Sequence, residues 1–288
     1  MAIGGTKFSP KKFSKNQLPI YLYMVPIAVF MGAPILYIVN NAFKPMDELY
    51  AFPPRFFVTN PSLVNFRNLF QTAAGSGIPI SRYVFNSLIV TLLVVLLSVL
   101  ISTMAGFALS KLKFPGKKAI FEVNNAALMF VTVAVTIPRY LTISSVGILD
   151  TYLAHILPLI AMPVSLFLIK QFIDQVPNSL LEAAQLEGAN SFTVYRKVIL
   201  PLIKPAVATG AILAFQQVWN NIETSNLFTS AEGMRTLAFY MNTLTGVGTV
   251  AGQGMAAAAS LIMFVPNLIL FIIMQSSVMN TMAYSGMK

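Results

Sequence analysis

Charge is the scarcest ingredient of this 288-residue sequence: Asp, Glu, Lys and Arg make up only 10% of it. Soluble domains usually carry about a quarter. Too few ionised side chains remain to coat a globule of this size, which excludes an ordinary soluble enzyme. An apolar share of 56% excludes a disordered chain. Cysteine is absent, so disulfide frameworks and thiolate metal or redox centres are excluded, while the compartment stays open. Histidine occurs once, as His155, which by itself completes neither a zinc site nor a catalytic triad. It reads as a hydrogen-bonded side chain near the outer end of an apolar run. No G-x-x-x-x-G-K-[ST], H-E-x-x-H or G-x-S-x-G pattern occurs, so no catalytic, metal or cofactor residue is assigned. Acidic residues are nearly missing from the apolar runs, where ion-driven carriers usually place them. Glu223 is the nearest approach. What remains is an integral membrane protein that is not itself an enzyme, and any active transport must draw its energy from a partner.

What the sequence does have is long apolar tracts with little or no charge, Glu122 and Arg139 marking the two ends of the third. A helix needs about 20 apolar residues to cross a bilayer. Six tracts qualify, at about 18–40, 86–109, 120–141, 152–173, 205–227 and 257–278. The first follows Lys7, Lys11, Lys12 and Lys15 like a signal peptide, but it is too long for an h-region and lacks an A-x-A site, so it is read as retained. Pro19, Pro26 and Pro34 lie in it, and neighbouring helices can re-satisfy the freed carbonyls. Residues 43–83 are too broken by proline to span. Backbone groups in hydrocarbon must pair within the chain, so the expected fold is all-α, with 1–288 as a single transmembrane domain. Ser98, Ser102, Gly106 and Ser110 recur at four-residue steps on the second span and form a ridge of small residues suited to close helix packing.

The net charge of +10 lies in short clusters between these tracts, the pattern of cytoplasmic loops rather than of a nucleic-acid binder. With the amino terminus inside, the inner side holds thirteen basic residues: Lys7, Lys11, Lys12, Lys15, Lys111, Lys113, Lys117, Lys118, Lys170, Arg196, Lys197, Lys204 and Lys288. The outer side holds six: Lys44, Arg55, Arg67, Arg82, Arg139 and Arg235. Both termini are therefore expected in the cytoplasm.

Residues 177–204, between the fourth and fifth spans, then lie inside. Ser179 to Glu182 fits a capping box. Gly188 can end the helix in a left-handed conformation, Asn190 or Ser191 can cap a second helix, and Pro201 can end it. Two readings stand for this helix–turn–helix. It inserts into a groove of another protein, or it lies on lipid headgroups, which Arg196, Lys197 and Lys204 would favour.

Glu182-Ala183-Ala184, Gly188, Val198, Leu200 and Pro201 resemble the EAA loop of binding-protein-dependent ABC importer permeases, departing only at Val198, where the family usually has Ile. Residues 108–117, ALSKLKFPGK, resemble the turn after the second span of the sugar permeases. Phe43-Lys44-Pro45 with Phe52-Pro53-Pro54, and Trp219-Asn220-Asn221, resemble their first external loop and fifth-span motif. The likeness is to the six-helix subunit of maltose-type transporters. It implies a bacterial-type cytoplasmic membrane and a second, homologous permease subunit. It also implies two ATPase subunits, which hold the ATP and magnesium, and an extracellular or periplasmic substrate-binding protein. Residues 177–204 become the coupling loop, with Glu182, Ala183, Ala184, Gly188, Ala189, Leu200 and Pro201 at the ATPase. Glu182 would pair with a basic group there, cap its own helix, or do both.

On the fifth span, Gln216, Gln217, Trp219, Asn220 and Asn221 put amides and an aromatic ring into an apolar run. Such groups should face protein or water. They suit a sugar pathway and equally suit interhelical amide bonds. Asn267 and Gln275 are weaker pathway residues. Met234, Arg235 and Thr236 belong to an external loop that the resemblance places against the binding protein. The expected function is import of a sugar or oligosaccharide by alternating access. The alternatives are a stand-alone facilitative or secondary carrier and an importer of another solute.

Overall fold

The computed structural model describes residues 18–75, 77–245 and 250–286. Among these the secondary structure is entirely helical. In chain order the helices are α1 (Leu18–Phe43), α2 (Met46–Leu49), α3 (Val64–Gly75), α4 (Ile80–Lys111), α5 (Lys117–Ala127), α6 (Thr132–Val146), α7 (Tyr152–Ile160) and α8 (Pro163–Asp174). They continue with α9 (Asn178–Leu186), α10 (Ser191–Val194), a π turn (Tyr195–Ile199), α11 (Leu200–Leu202), α12 (Lys204–Trp219), α13 (Glu223–Leu227), a 3-10 turn (Glu232–Met234), α14 (Leu237–Thr245) and α15 (Val250–Gly286).

Three segments are long and apolar enough to cross a bilayer: Leu18–Phe43, Ile80–Lys111 and Gly252–Gln275. Three further pairs qualify only if each bent pair is one span: α5 with α6 (114°), α7 with α8 (41°), and Ser191–Leu202 with Lys204–Leu227 (82°). The third span expected over 120–141 is therefore broken into α5 and α6. The break falls at 128–131, where β-branched Val131, Thr132 and Val133 crowd the preceding turn and Val131 is extended. Pro163 accounts for the second bend, because its ring keeps Met162 out of helical geometry. At the third, Ile203 leaves helical geometry and the next helix starts at Lys204, with Pro205 in its first turn.

The described residues form two compact units. One comprises those up to Leu69 and α15 as far as Leu261. In it the last carbonyls of α1 are capped by a single side chain: Asn65 Nδ2 donates to the carbonyls of Asn41 (3.3 Å), Ala42 (3.1 Å) and Lys44 (2.7 Å). The connection after α1 closes on Glu48, whose carboxylate accepts from the Thr59 hydroxyl, the Thr59 amide and the Asn60 amide. Those donors, the Thr59 hydroxyl first, hold the Glu48 carboxyl below its ordinary pKa.

The other unit runs from Phe70 and is organised around α4, which packs against α8, α12 and α7. The expected small-residue ridge is buried at Ser98, Ser102 and Gly106. A Cβ on Gly106 would stand 3.2 Å from Ile169 of α8, and one on Gly210 of α12 would stand 2.6 Å from the Ser165 hydroxyl of the same helix. Helix α8 is thus wedged between α4 and α12, with a glycine on each side allowing the approach. Away from these contacts the apolar side chains lie open. Leu92 is 60% and Ile273 71% exposed, which only lipid or another membrane protein can cover.

His155 is a satisfied core side chain. It is fully buried, with Nδ1 2.9 Å from the Thr224 hydroxyl and Nε2 3.1 Å from that of Thr229.

Candidate functional site

At the Lys111 end of α4 the chain builds two short helices joined by an elbow. Helix α9 starts with Pro177 as its N-cap, and no side chain caps it. The capping box expected at Ser179 is therefore not formed. The chain enters the helix two residues earlier, with Pro177 rather than Ser179 as N-cap and Asn178 as the first helical residue, because the fixed φ of Pro177 already sets the entry, and this leaves Glu182 exposed and uninvolved in capping. The helix ends in a Schellman motif. The Ala189 amide donates to the Ala184 carbonyl and the Gly188 amide to the Gln185 carbonyl, both at 2.9 Å. Gly188 has φ +85°, as the motif requires. Ala184 and Ala189, the apolar pair that accompanies such an ending, both pack on the core formed by Phe107, Ile169, Ile173, Val176, Leu181 and Val194 with residues further along.

Asn190 then caps α10, its Oδ1 accepting the Thr193 amide at 2.8 Å. The return helix does not stop at Pro201. It continues to Leu202, because the wide π turn ahead of Pro201 makes room for a ring that would otherwise press on the carbonyl of Lys197. Leu200 packs on the same core as the two alanines, and Pro201 is exposed. The elbow therefore has a fixed inner face and an open tip. The tip presents Glu182, Ala183 and Gly188, and with them Leu186 at 90% and Phe192 at 60% exposure. Leu186 and Phe192 carry little signal in the sequence. Their only signal was an apolar residue on either side of the left-handed turn.

The polar residues of the fifth expected span separate into two groups. Trp219 is turned inward: its Nε1 donates to the Met263 carbonyl at 3.1 Å and its ring stacks on Phe215. Asn221 is also used internally, its Oδ1 accepting the amide and hydroxyl of Thr224. Gln216, Gln217 and Asn220 are exposed. Asn267 of α15 reaches this group, with Nδ2 3.5 Å from Asn220 Oδ1. Asn267 Oδ1 is shielded yet has no partner among the described residues. Gln216, Asn220 and Asn267 thus gather on one side, without the indole. Gln275 is exposed, about two turns further along α15 than Asn267. Glu223 is committed to an ion pair, with both carboxylate oxygens 3.0 Å from Arg139 Nη1 and a further contact to the Thr136 hydroxyl.

The segment around Met234 is fastened to the other end of α4. The Gly233 carbonyl accepts from Arg82 Nε and Asn86 Nδ2, both at 3.0 Å, and the Arg235 carbonyl accepts from Asn86 at 2.9 Å. Thr236 is buried against the Ser225 hydroxyl. Arg235 pairs with Glu232 and lies 4.5 Å from the Phe239 ring centroid, and like Met234 it stays half-exposed.

Asp150 secures the stretch just before. Its backbone is left-handed at φ 55°, and its carboxylate accepts the amides of Ser230 (2.6 Å) and Ala231 (3.0 Å) and the Ser230 hydroxyl. The hydroxyl first, then the amides, hold this carboxyl below the ordinary aspartate pKa. A carboxyl depressed in the folded state adds stability above its unfolded pKa and loses it as pH falls through the folded one. The Ser230–Ala231 turn is thus expected to stay closed at neutral pH and to loosen only below about pH 4. Asp150→Asn should loosen it at pH 7 and remove the acid-dependent step. Hydrogen exchange at the Ser230 and Ala231 amides reads both.

The profile of the family described as "binding-protein-dependent transport system inner membrane component" matches residues 18–278, nearly the whole chain. The chain belongs to that family. A probable ABC transporter permease of Bacillus subtilis, YurM, is 32% identical over 272 residues, covering 93% of this chain and 86% of its own. The sulfoquinovosyl glycerol transport permease SmoH of Agrobacterium fabrum is 29% identical, covering 88% of both chains. Among solved structures, a chain of a bacterial ABC transporter that imports the acidic polysaccharide alginate superposes with a TM-score of 0.78. At 19% identity over 93% of this chain and 99% of its own, that likeness supports the fold. A membrane component of this family is a transporter part rather than a catalyst, consistent with a chain that carries no P-loop.

Proposed function

We propose that this inner membrane component is the six-span permease subunit of an ATP-driven importer of a sugar or oligosaccharide. Residues 1–288 act as one translocation domain, with both termini and the 177–204 loop in the cytoplasm. It works beside a second permease subunit, two ATPases and an external binding protein. Family membership and the relative that carries sulfoquinovosyl glycerol support the class of cargo. The observation that carries the coupling role is the elbow itself: a short helix closed by a Schellman turn, rigid on its core side, with Leu186 and Phe192 left open to water. A helix resting only on headgroups would not need so firm an ending, whereas a plug seated in another protein's groove does.

In this reading the loaded binding protein docks against the Met234–Thr236 side. ATP closes the ATPase pair and drives the elbow, and the helices open outward. Hydrolysis returns them. Each ligand acts by binding the two states unequally. Gln216 and Asn220, both exposed, offer amides to sugar hydroxyls, and Asn267 stands beside them with its Nδ2 3.5 Å from Asn220 Oδ1. Trp219 and Asn221 shape that surface from behind. The pairing of Glu223 with Arg139 leaves no free carboxylate there for ion coupling. The reading is tested by purifying the chain with its partners and measuring ATPase activity against a panel of binding proteins and glycans. Stimulation by one loaded sugar-binding protein supports it, and stimulation only by a non-sugar solute rejects the cargo class.

A further inference from the structure

The geometry points to Lys111 as the positioning residue that couples the second span to the coupling helix; this rests on the coupling role proposed above. Lys111 is the last residue of α4. Its Nζ donates to the Val176 carbonyl at 2.6 Å and to Asn178 Oδ1 at 3.0 Å. Val176 lies just beyond the end of α8, where carbonyls lack helical partners, and Asn178 is the first residue of α9. One ammonium therefore bridges the end of the helix entering the loop and the start of the coupling helix. Its position suits a cation, because carbonyls at a helix end carry partial negative charge. Among the described residues no carboxylate lies within ion-pair distance of Lys111; the Asp174 carboxylate, paired with Lys170 at 2.7 Å, acts on it only through space, and the direct partners of the ammonium are these two dipoles.

The neighbouring lysine does different work. Lys117 Nζ donates to the carbonyls of Ser110 and Leu112, closing the end of α4 itself. The returning arm of the loop is tied to the same helix one to two turns earlier. The Thr103 hydroxyl lies 2.9 Å from the Tyr195 hydroxyl, and the Phe107 ring packs on Tyr195. Helix α4 thus holds both arms, the entering one by a single lysine and the returning one by an apolar and hydroxyl contact. A pull on α9 is passed to α4 through Lys111 with little slack. Without that bridge, α9 keeps its Schellman turn, its docking tip and the apolar packing of Leu181 and Ala184, but its start loses the polar tie to α4 and rocks on that packing.

The experiment uses the full importer in nanodiscs. The chain lacks cysteine, so nitroxides placed at Lys113→Cys and Glu187→Cys report the distance between the end of α4 and the end of α9. In Lys111→Met that distance distribution is expected to broaden, and substrate moved per ATP to fall at least fivefold while ATP is still hydrolysed. Lys111→Arg, which can reach both acceptors, should restore the narrow distribution and most of the ratio. Asn178→Ala, which removes one acceptor, should fall between. Wild-type distance and ratio in Lys111→Met would overturn the proposal. So would a lowered ratio with an unchanged distance, since Lys111 would then not act by positioning. A Glu182→Cys chain with Lys111 intact separates the two levels: if it fails to cross-link to the ATPase, the coupling reading itself is wrong.

Discussion

Gly188→Val is expected to abolish uptake while the chain still inserts into the membrane at normal levels. At φ +85° a residue with a Cβ costs about 1–2 kcal/mol, and valine, branched at Cβ, costs more. Nothing lies within 4 Å of the position a Cβ would take, so the penalty is one of backbone geometry and not of collision. The Schellman bonds from Gly188 and Ala189 hold the elbow with energies of similar size. The strain is relieved by re-forming the turn, and the tip then points elsewhere. Uptake should fall at least tenfold. Gly188→Asn should keep much of it, because asparagine tolerates the left-handed region. Insertion depends on the apolar spans, which the substitution does not touch. Uptake assays with membrane quantification of the three chains decide the matter. Equal loss in valine and asparagine variants would mean that glycine is needed for space at a partner surface and not for its φ.

The second large effect is expected at the tip. Leu186, 90% exposed, makes almost no contact in the chain itself. Leu186→Asp should therefore leave the fold intact and strip the ATPase from the complex. Full burial of a leucine is worth about 1.5–3 kcal/mol. Losing it, and placing a carboxylate in the groove instead, should weaken the association at least tenfold, read as ATPase retained on purification. Phe192→Ala should weaken it in the same direction by less. Retention unchanged in both would show that the tip is not a docking surface.

Much of this was legible in the amino acids. Tracts of low charge foretold apolar helices, three of them long enough to span by themselves and the rest arranged as bent pairs, and the spacing of Ser98, Ser102 and Gly106 foretold a buried ridge that α8 approaches closely at Gly106. The glycine at 188 and the asparagine at 190 did what their side-chain chemistry suggests. The bends were harder to read. Hydropathy sees composition and not direction, so the breaks at 128–131 and at Met162 and Ile203 vanish into apolar runs. Local pattern also misled at Ser179, where a preceding proline had already fixed the start of α9. Trp219 looked like a sugar platform because a lone indole in a span invites that reading, yet its N–H is taken by the Met263 carbonyl, 44 residues away. Lys111 and Asn178 lie 67 residues apart, and only the folded chain brings them together.

The central claim is that this chain moves its cargo only when a separate ATPase pushes on its cytoplasmic elbow. Reconstitution into liposomes tests it most directly, with radiolabelled glycan and loaded binding protein outside and ATP inside. Uptake is expected only when the partner permease and both ATPases are present and ATP is supplied, and to disappear when the ATPases are omitted. Cargo entering liposomes that contain this chain but no ATPase would contradict the account.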